Sequence, residues 1–131
     1  MLMELVYGIG ARPVIMDPER HDRAVASISH LPYLVAIALV ETAREVSEEY
    51  PETPRLAAGG FKDITRIASR DPIIGADICA TNEPGLSEMV EIFRGKVEGL
   101  MEMVKSGDVE GIRRRFGEAR AFREGLFRAR G

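Results

Sequence analysis

The sequence of 131 residues contains no tryptophan, one cysteine and two histidines. Because Cys79 has no intrachain disulfide partner and no CxxC spacing, the sequence predicts a buried thiol in a reducing cytoplasm and no zinc or redox site. The formal net charge of −3 is small, which argues against broad electrostatic binding of nucleic acid or of an anionic lipid surface. An anionic ligand would therefore have to meet a local group of cations.

The sequence also lacks a long apolar run and a basic N-terminus. The longest strongly apolar stretch, residues 31–40, is about half as long as a bilayer-crossing helix and contains Pro32. Residues 1–7 lack the basic start and the small-residue cleavage pattern of a secretory signal. The sequence therefore predicts neither a membrane-spanning helix nor secretion.

The length suits one compact domain, in which the first 16 residues stand apart. They contain a short helix, a break at Gly8 and Gly10, and an extended piece at residues 13–16. Because a lone strand leaves its backbone donors and acceptors unpaired, this piece should pair with a partner chain, fold back, or belong to a domain that is missing here. The two glycines do not form a GxGxxG nucleotide loop, since the third glycine position is Pro13 and no strand-to-helix junction follows them.

A long first helix is predicted from Asp17 to about residue 50. The Asp17 side chain can accept from the free amides of the first turn, and Pro18 fits that turn. Pro32 lies inside the helix and should kink it near residues 29–33, because it removes one amide donor and crowds the preceding turn.

The segment after the kink is apolar on every side of the helix, so it should be buried on every side. In a domain of this size a second copy of the chain supplies such burial most easily. Further helices are predicted at residues 61–69, 73–81, 86–104 and 109–126. The expected fold is an all-α domain of about five helices, with a long Pro-kinked first helix and a short N-terminal extended segment, in an intertwined homodimer.

Three polar side chains of the first helix can face one side. On an ideal helix Ser29 lies about 80° from His21, and Tyr33 lies about 40° further. His30 lies about 180° from His21, so a paired-histidine metal site is not predicted. Taken alone, His21 is equally consistent with a capping or surface residue, and His30 is more typical of a hydrogen-bonded core residue.

The helix at residues 61–69 carries three cations, Lys62, Arg66 and Arg70, at four-residue steps. Arg66 is the best candidate to bind an acid, because a guanidinium group matches a carboxylate in two parallel hydrogen bonds. Asp63, one turn earlier, could hold Arg66 in place. The alternative is a solvated charged face with an ordinary Asp63–Arg66 pair.

Four segments, taken in order, resemble the helical half of prephenate and arogenate dehydrogenases. They are MDPERHD at residues 16–22, SHLPY at residues 29–33, GGFKDITRIA at residues 59–68, and the Asp71–Pro72 pair. The resemblance runs from about residue 10 to the C-terminus and is most specific between residues 17 and 82.

In that family a domain that binds NAD or NADP precedes the helical domain, and the enzyme removes a hydride from the substrate ring while the ring carboxylate leaves as carbon dioxide. The resemblance implies that residues 17–131 form the substrate-binding and dimerisation domain of a cytoplasmic enzyme of tyrosine biosynthesis. It implies that residues 1–16 are the remnant of the linker or last strand of a missing nucleotide-binding domain. The catalytic base and the glycine fingerprint of the family would lie in that missing domain. We therefore expect this chain to bind no cofactor and to be inactive alone.

The resemblance also implies roles for individual residues. Arg66 would pair with a carboxylate of prephenate or arogenate, and Lys62 and Asp63 would help to arrange that site. The other residues expected at the same cleft are His21, Ser29 and Tyr33, together with His30 and Gly59.

Two positions depart from the family pattern. Tyr33 stands where many members have histidine, and it can donate a hydrogen bond but cannot carry positive charge. Gly75 stands where many have tryptophan, which removes an aromatic wall. The choice between prephenate and arogenate is therefore open.

Two other functions fit the same residues. One is a non-enzymatic dimeric module that binds an aromatic acid at Arg66. The other is a small helical isomerase like chorismate mutase, in which arginines and a glutamate surround a dianion without a cofactor.

Overall fold

The computed structural model describes residues 2–128, and every regular element in that range is helical. The all-α class is therefore confirmed. The elements are α1 (Leu2–Gly8), α2 (Pro18–Val25), a π turn (Ala26–His30), α3 (Leu31–Glu49), α4 (Thr53–Leu56), α5 (Gly59–Thr65), a 3₁₀ turn (Arg66–Ser69), α6 (Pro72–Thr81), α7 (Glu83–Ser106) and α8 (Val109–Arg128).

The N-terminal segment forms a helix but no strand. Helix α1 ends where Gly10 takes φ +76°, a backbone conformation that side chains other than glycine rarely adopt. Residues 11–17 are irregular, and Val14 and Ile15 are 76% and 84% exposed. Residues 13–16 form no strand within the described chain, and their pairing with a partner chain or a missing domain stays a prediction.

Helix α2 begins as its sequence predicts. An Oδ1 atom of Asp17 accepts a hydrogen bond from the backbone N–H of Arg20 at 3.0 Å, and Pro18 occupies the first turn. From there α2, the π turn and α3 form one uninterrupted helical span of 32 residues.

The disturbance expected around Pro32 takes the form of a π turn. Within it the backbone N–H of Leu31 donates to the carbonyl of Ala26, five residues earlier. Pro32 follows directly and has no N–H to continue the ladder. The wider turn therefore lets the helix pass a proline without ending.

The continuity of this helix corrects one expectation. By length and apolar composition alone, the span Pro18–Glu49 is sufficient to cross a membrane, with a mean hydropathy of 1.6 in its most apolar window. The argument from the short run 31–40 therefore does not hold, since Pro32 does not interrupt the helix. The core helix of a soluble protein or a signal sequence meets the same test, so length and composition assign no membrane location here.

Residues 2–89 form one compact unit around α3. Helix α3 packs against α4, α5 and the 3₁₀ turn. The buried apolar residues are few: Ala26 in the π turn, Ala36 in α3 and Leu86 in α7. Ile37 and Val40 are 43% and 40% exposed, so the apolar segment of α3 is not buried all round within a single chain.

Residues 90–128 form the described part of a second unit, made of the C-terminal part of α7 and of α8. Gly107, at φ +70°, ends α7, and the Asp108 side chain accepts from the Gly111 N–H at 2.8 Å to start α8. Leu100 of α7 and two phenylalanines of α8, Phe116 and Phe122, line one open cavity of about 630 Å³. The phenylalanines are 75% and 71% exposed, which leaves a large apolar surface on this unit.

Replacing the residue that caps α8 tests this assignment. We expect Asp108→Ala to lower the free energy of unfolding by about 1 kcal/mol, because the Gly111 N–H loses its acceptor. Asp108→Asn should cost much less, since asparagine caps helices about as well as aspartate. Urea unfolding of the three proteins measures the difference, and equal losses for both variants would contradict the capping role.

Candidate functional site

The predicted cationic helix is split into two elements. Helix α5 ends at Thr65, whose backbone lies at φ −95° and ψ 0°, and the 3₁₀ turn begins at Arg66. The buried Thr65 hydroxyl donates to the carbonyl of Phe61 at 2.6 Å. Arg70 then leaves the helix with ψ 167°. The expectation of one helix over residues 61–69 with three cations on one ridge is therefore wrong, because Arg70 lies beyond the end of the helical backbone.

The side chains of Lys62, Asp63 and Arg66 are unpaired within residues 2–128. All three residues are exposed, and no hydrogen bond or ion pair joins Asp63 to Arg66. The expected Asp63–Arg66 pair is thus absent from the described structure. The guanidinium of Arg66 keeps all its donors available for a ligand. Gly59 opens this helix in an exposed position, where an added Cβ would meet nothing within 4 Å.

A cavity of about 380 Å³ lies between the start of α3 and the segment that follows Arg66. Tyr33 lines it from α3, Ile67 from the 3₁₀ turn, and Gly75 and Cys79 from α6. A Cβ placed on Gly75 would meet nothing within 4 Å, so the missing side chain leaves open space beside Tyr33. Cys79 is half-buried on the cavity wall and not fully buried as expected.

The lining of this cavity does not include every predicted site residue. Its one basic residue is Arg70, and Arg66, His21 and Ser29 are absent from it. Ser29 is exposed on the π turn. The structure therefore brings Tyr33 beside residues of the 3₁₀ turn that Arg66 begins, and the grouping of the other predicted residues with Arg66 stays a prediction.

The two histidines are linked through residues that sequence reasoning did not select. Nδ1 of His21 lies 3.0 Å from Oδ1 of Asp22. The side-chain amide of Asn82 donates to the backbone carbonyl of Asp22 at 2.7 Å and lies 3.2 Å from Nδ1 of His30. Asn82 thus contacts both sides of the π turn. The only signal in the sequence was its position in the helix break Asn82–Glu83–Pro84–Gly85.

An ion pair also joins α2 to the start of α7. The Arg23 guanidinium of α2 donates to a carboxylate oxygen of Glu88 in α7. Both side chains are substantially exposed, so the pair adds little stability by itself. Its geometry ties the start of α7 to the helix that carries His21.

The arrangement suits acid binding better than bond making. Among residues 2–128 no group of three histidine, cysteine, aspartate or glutamate side chains could hold a metal ion. Exposed hydrogen-bond donors on the π turn, α5 and the 3₁₀ turn are the hydroxyl of Ser29, the ammonium of Lys62 and the guanidinium of Arg66, and the half-buried Tyr33 adds a hydroxyl at the start of α3. These donors can bind a carboxylate and hydroxyl groups of a small organic acid.

Comparison with known proteins shows which family this chain resembles and how much of its relatives' length it covers. Residues 17–118 match the family described as prephenate dehydrogenase, dimerization domain. The prephenate dehydrogenase of Bacillus subtilis is 37% identical over 125 residues, which is 95% of this chain and 34% of that protein. The prephenate dehydrogenase of Lactococcus lactis is 30% identical, over 95% of this chain and 35% of that protein. The chain therefore spans about a third of the length of these curated relatives.

Solved structures agree with these matches. A prephenate dehydrogenase from Aquifex aeolicus, in complex with hydroxyphenyl propionate and NAD+, superposes with a TM-score of 0.84 at 32% identity, over 95% of this chain and 44% of that one. The arogenate dehydrogenase of Synechocystis has a TM-score of 0.87 at 24% identity, over 95% of this chain and 46% of that one. The latter match supports the fold alone.

The unpaired state of Arg66 predicts that this residue contributes little to folding. We expect Arg66→Ala to change the free energy of unfolding by less than about 0.5 kcal/mol, because no described contact is lost. Leu86→Ala, at a residue only 6% exposed, should cost about 2–5 kcal/mol and serves as the comparison. Denaturant unfolding measures both. A large loss for Arg66→Ala would show a structural role and weaken its assignment to a ligand.

Proposed function

The chain belongs to the prephenate dehydrogenase dimerization-domain family, and we propose that it supplies the substrate-binding and dimerisation part of a cytoplasmic prephenate or arogenate dehydrogenase. The complete reaction would be the NAD- or NADP-dependent oxidative decarboxylation that leads to tyrosine. Arg66 carries the proposal. It is an exposed arginine without a partner in the described chain, at the start of the 3₁₀ turn that packs against α3.

The donors around Arg66 fit the chemistry of a carboxylated ring. Arg66 would bind a carboxylate through two parallel hydrogen bonds, and the neighbouring Lys62 would add a second positive charge. Asp63, exposed beside them, would orient these cations when a ligand is present. His21, Ser29 and Tyr33, with His30 and Gly59, would complete the cleft. The cavity beside Tyr33 and Gly75 offers space for an apolar ring.

The redox step is assigned to a different part of the enzyme. The Aquifex aeolicus relative has more than twice the aligned length and was solved with NAD+, while this chain lacks a GxGxxG loop. The fit to a dinucleotide is therefore poor, and we propose that this chain alone binds no nucleotide. Residues 17–131 would be the helical domain, and residues 1–16 would be what remains of the connection to a nucleotide-binding domain.

A homodimer accounts for the exposed apolar surface. One chain leaves Ile37 of α3 and the phenylalanines Phe116 and Phe122 of α8 open to solvent. The matched family is described as a dimerization domain. Burial of these residues against a second copy would supply the core that a single chain lacks.

Binding measurements on Arg66 variants test the ligand assignment. We expect the 131-residue chain to bind prephenate, and Arg66→Ala to weaken binding by about 10- to 100-fold, the value of a charge-assisted hydrogen-bonded pair. Arg66→Lys should recover only part of the loss, because an ammonium group cannot form the paired hydrogen bonds. Arg113→Ala, at an exposed arginine of α8 paired with Glu110, is the matched control and should bind normally. Calorimetry showing equal affinity for Arg66→Ala and the unmodified chain would refute the assignment.

Light scattering tests the dimer. The mass measured in solution should be twice the 14.5 kDa of one chain. Phe122→Ser should shift the population toward monomer, because it removes an exposed apolar side chain from α8. Arg120→Ser, on the same helix and also exposed, is the control and should leave the mass unchanged. A monomer in the unmodified chain at micromolar concentration would contradict the proposal.

A further inference from the structure

We propose that Asn82 is a positioning residue: its side-chain amide fixes the imidazole of His30 as the tautomer protonated on Nε2 and holds the π turn that carries Ser29 and precedes Tyr33. This inference rests on the proposed function, because it adds to the acid-binding cleft a residue that supports the cleft without contacting the ligand. Asn82 lies 52 residues from His30 in the sequence, at the junction of α6 and α7.

The orientation of the Asn82 amide follows from its partners. The atom that lies 2.7 Å from the backbone carbonyl of Asp22 must be the nitrogen, because a carbonyl oxygen only accepts. The same nitrogen lies 3.2 Å from Nδ1 of His30. An amide NH₂ group has two hydrogens, one for each acceptor. Both contacts are made at once only if Nδ1 of His30 carries no proton.

The tautomer of His30 is then determined. A neutral imidazole with a bare Nδ1 carries its proton on Nε2. Within residues 2–128 no group bonds to Nε2 of His30, and the residue is half-buried. His30 therefore offers one N–H donor and no free lone pair. In the proposed cleft it would donate to a ligand oxygen and would not serve as a general base.

Gly85 keeps the amide in place from the other side. A Cβ on Gly85 would lie 2.6 Å from Oδ1 of Asn82 and 3.4 Å from the Cβ of Ala26. The first distance is too short for any real contact, and the second is ordinary packing against a residue of the π turn that is 0% exposed. Glycine at position 85 thus lets α7 approach the π turn while the oxygen of Asn82 points toward α7. Gly85→Ala would displace the amide without forcing the backbone of the π turn to move.

The register of the π turn matters for the cleft. A π turn holds one residue more than an α-helical turn, so its loss would rotate every residue after it by about 100° relative to α2. Tyr33, which faces the cavity beside the 3₁₀ turn, would no longer keep its relation to the residues of α2. Asn82 contacts Asp22 before the π turn and His30 at its end, and so holds this register from outside the helix.

Nitrogen NMR of the ligand-free chain tests the tautomer directly. The chain has two histidines, so His30→Gln assigns the signals. At about pH 8, where imidazoles are neutral, we expect His30 to show an unprotonated Nδ1 and a protonated Nε2. Asn82→Ala and Gly85→Ala should both yield a mixture of tautomers. Two controls should keep the unmodified spectrum: Ser87→Ala, which removes a local hydrogen bond to Glu83, and Gly95→Ala, at a glycine of α7 with nothing within 4 Å.

Gly85→Ala keeps the test decisive if Asn82→Ala fails to fold, because alanine favours the helix and only the amide is displaced. A protonated Nδ1 in the unmodified chain, or an unchanged His30 spectrum in both variants, would overturn the inference. In a second measurement, prephenate affinity should fall roughly tenfold in Gly85→Ala and stay unchanged in Gly95→Ala. Full affinity in Gly85→Ala despite a mixed tautomer would overturn the positioning role.

The two proposals fail in different ways. If the unmodified chain shows the expected tautomer but binds no prephenate, the proposed ligand is wrong, while the Asn82–His30 contact stands. If prephenate binds and Arg66→Ala abolishes binding, but His30 carries its proton on Nδ1, the ligand assignment stands and the inference about Asn82 is overturned.

Discussion

The structure of residues 2–89 depends on one constraint, which is that the long helix must continue past Pro32. The pattern of backbone hydrogen bonds changes at the π turn, so a contact from outside the helix is needed to hold that turn. The π turn Ala26–His30 accommodates Pro32, and the amide of Asn82 binds the backbone before the turn and the side chain at its end. At the junction of the π turn and α7, Ala26 and Leu86 are both buried, and a Cβ on Gly85 would lie 3.4 Å from the Cβ of Ala26. Helix α3 continues directly from the π turn and carries Tyr33 on the wall of the cavity.

The candidate site and the core have opposite properties. Arg66, Lys62 and Asp63 are exposed and unpaired within the described chain, whereas the packed junction uses small residues and hydrogen bonds at short distances. Donors without partners contribute little to folding but are ready for a ligand. Three buried apolar residues among residues 2–128 are a small core for such long helices. The proposed dimer would therefore contribute to stability as well as to assembly.

Features set by neighbouring residues could be predicted from the sequence. The start of α2 at Asp17, the break near Asn82 and the stop at Gly107 each follow from capping or breaking residues within one turn, and the structure has them in these places. The extended piece at residues 13–16 forms no strand within the described chain, and the expectation of a single helix over residues 61–69 is wrong. The first needs a partner strand that the described chain does not provide. The second fails at Thr65, whose buried hydroxyl binds its own helix as the backbone changes to a 3₁₀ turn.

The sequence by itself determined the helical class and most helix boundaries, because these depend on residues a few positions apart. Its ordered motifs also singled out Arg66 and its neighbours, although the roles of these residues stay predictions. Only the tertiary structure showed that Arg70 leaves the helix and that Arg66 has no partner in the described chain. It also showed that Asn82 reaches His30 across 52 positions. Contacts between distant residues depend on how whole helices pack, and no local pattern records that packing.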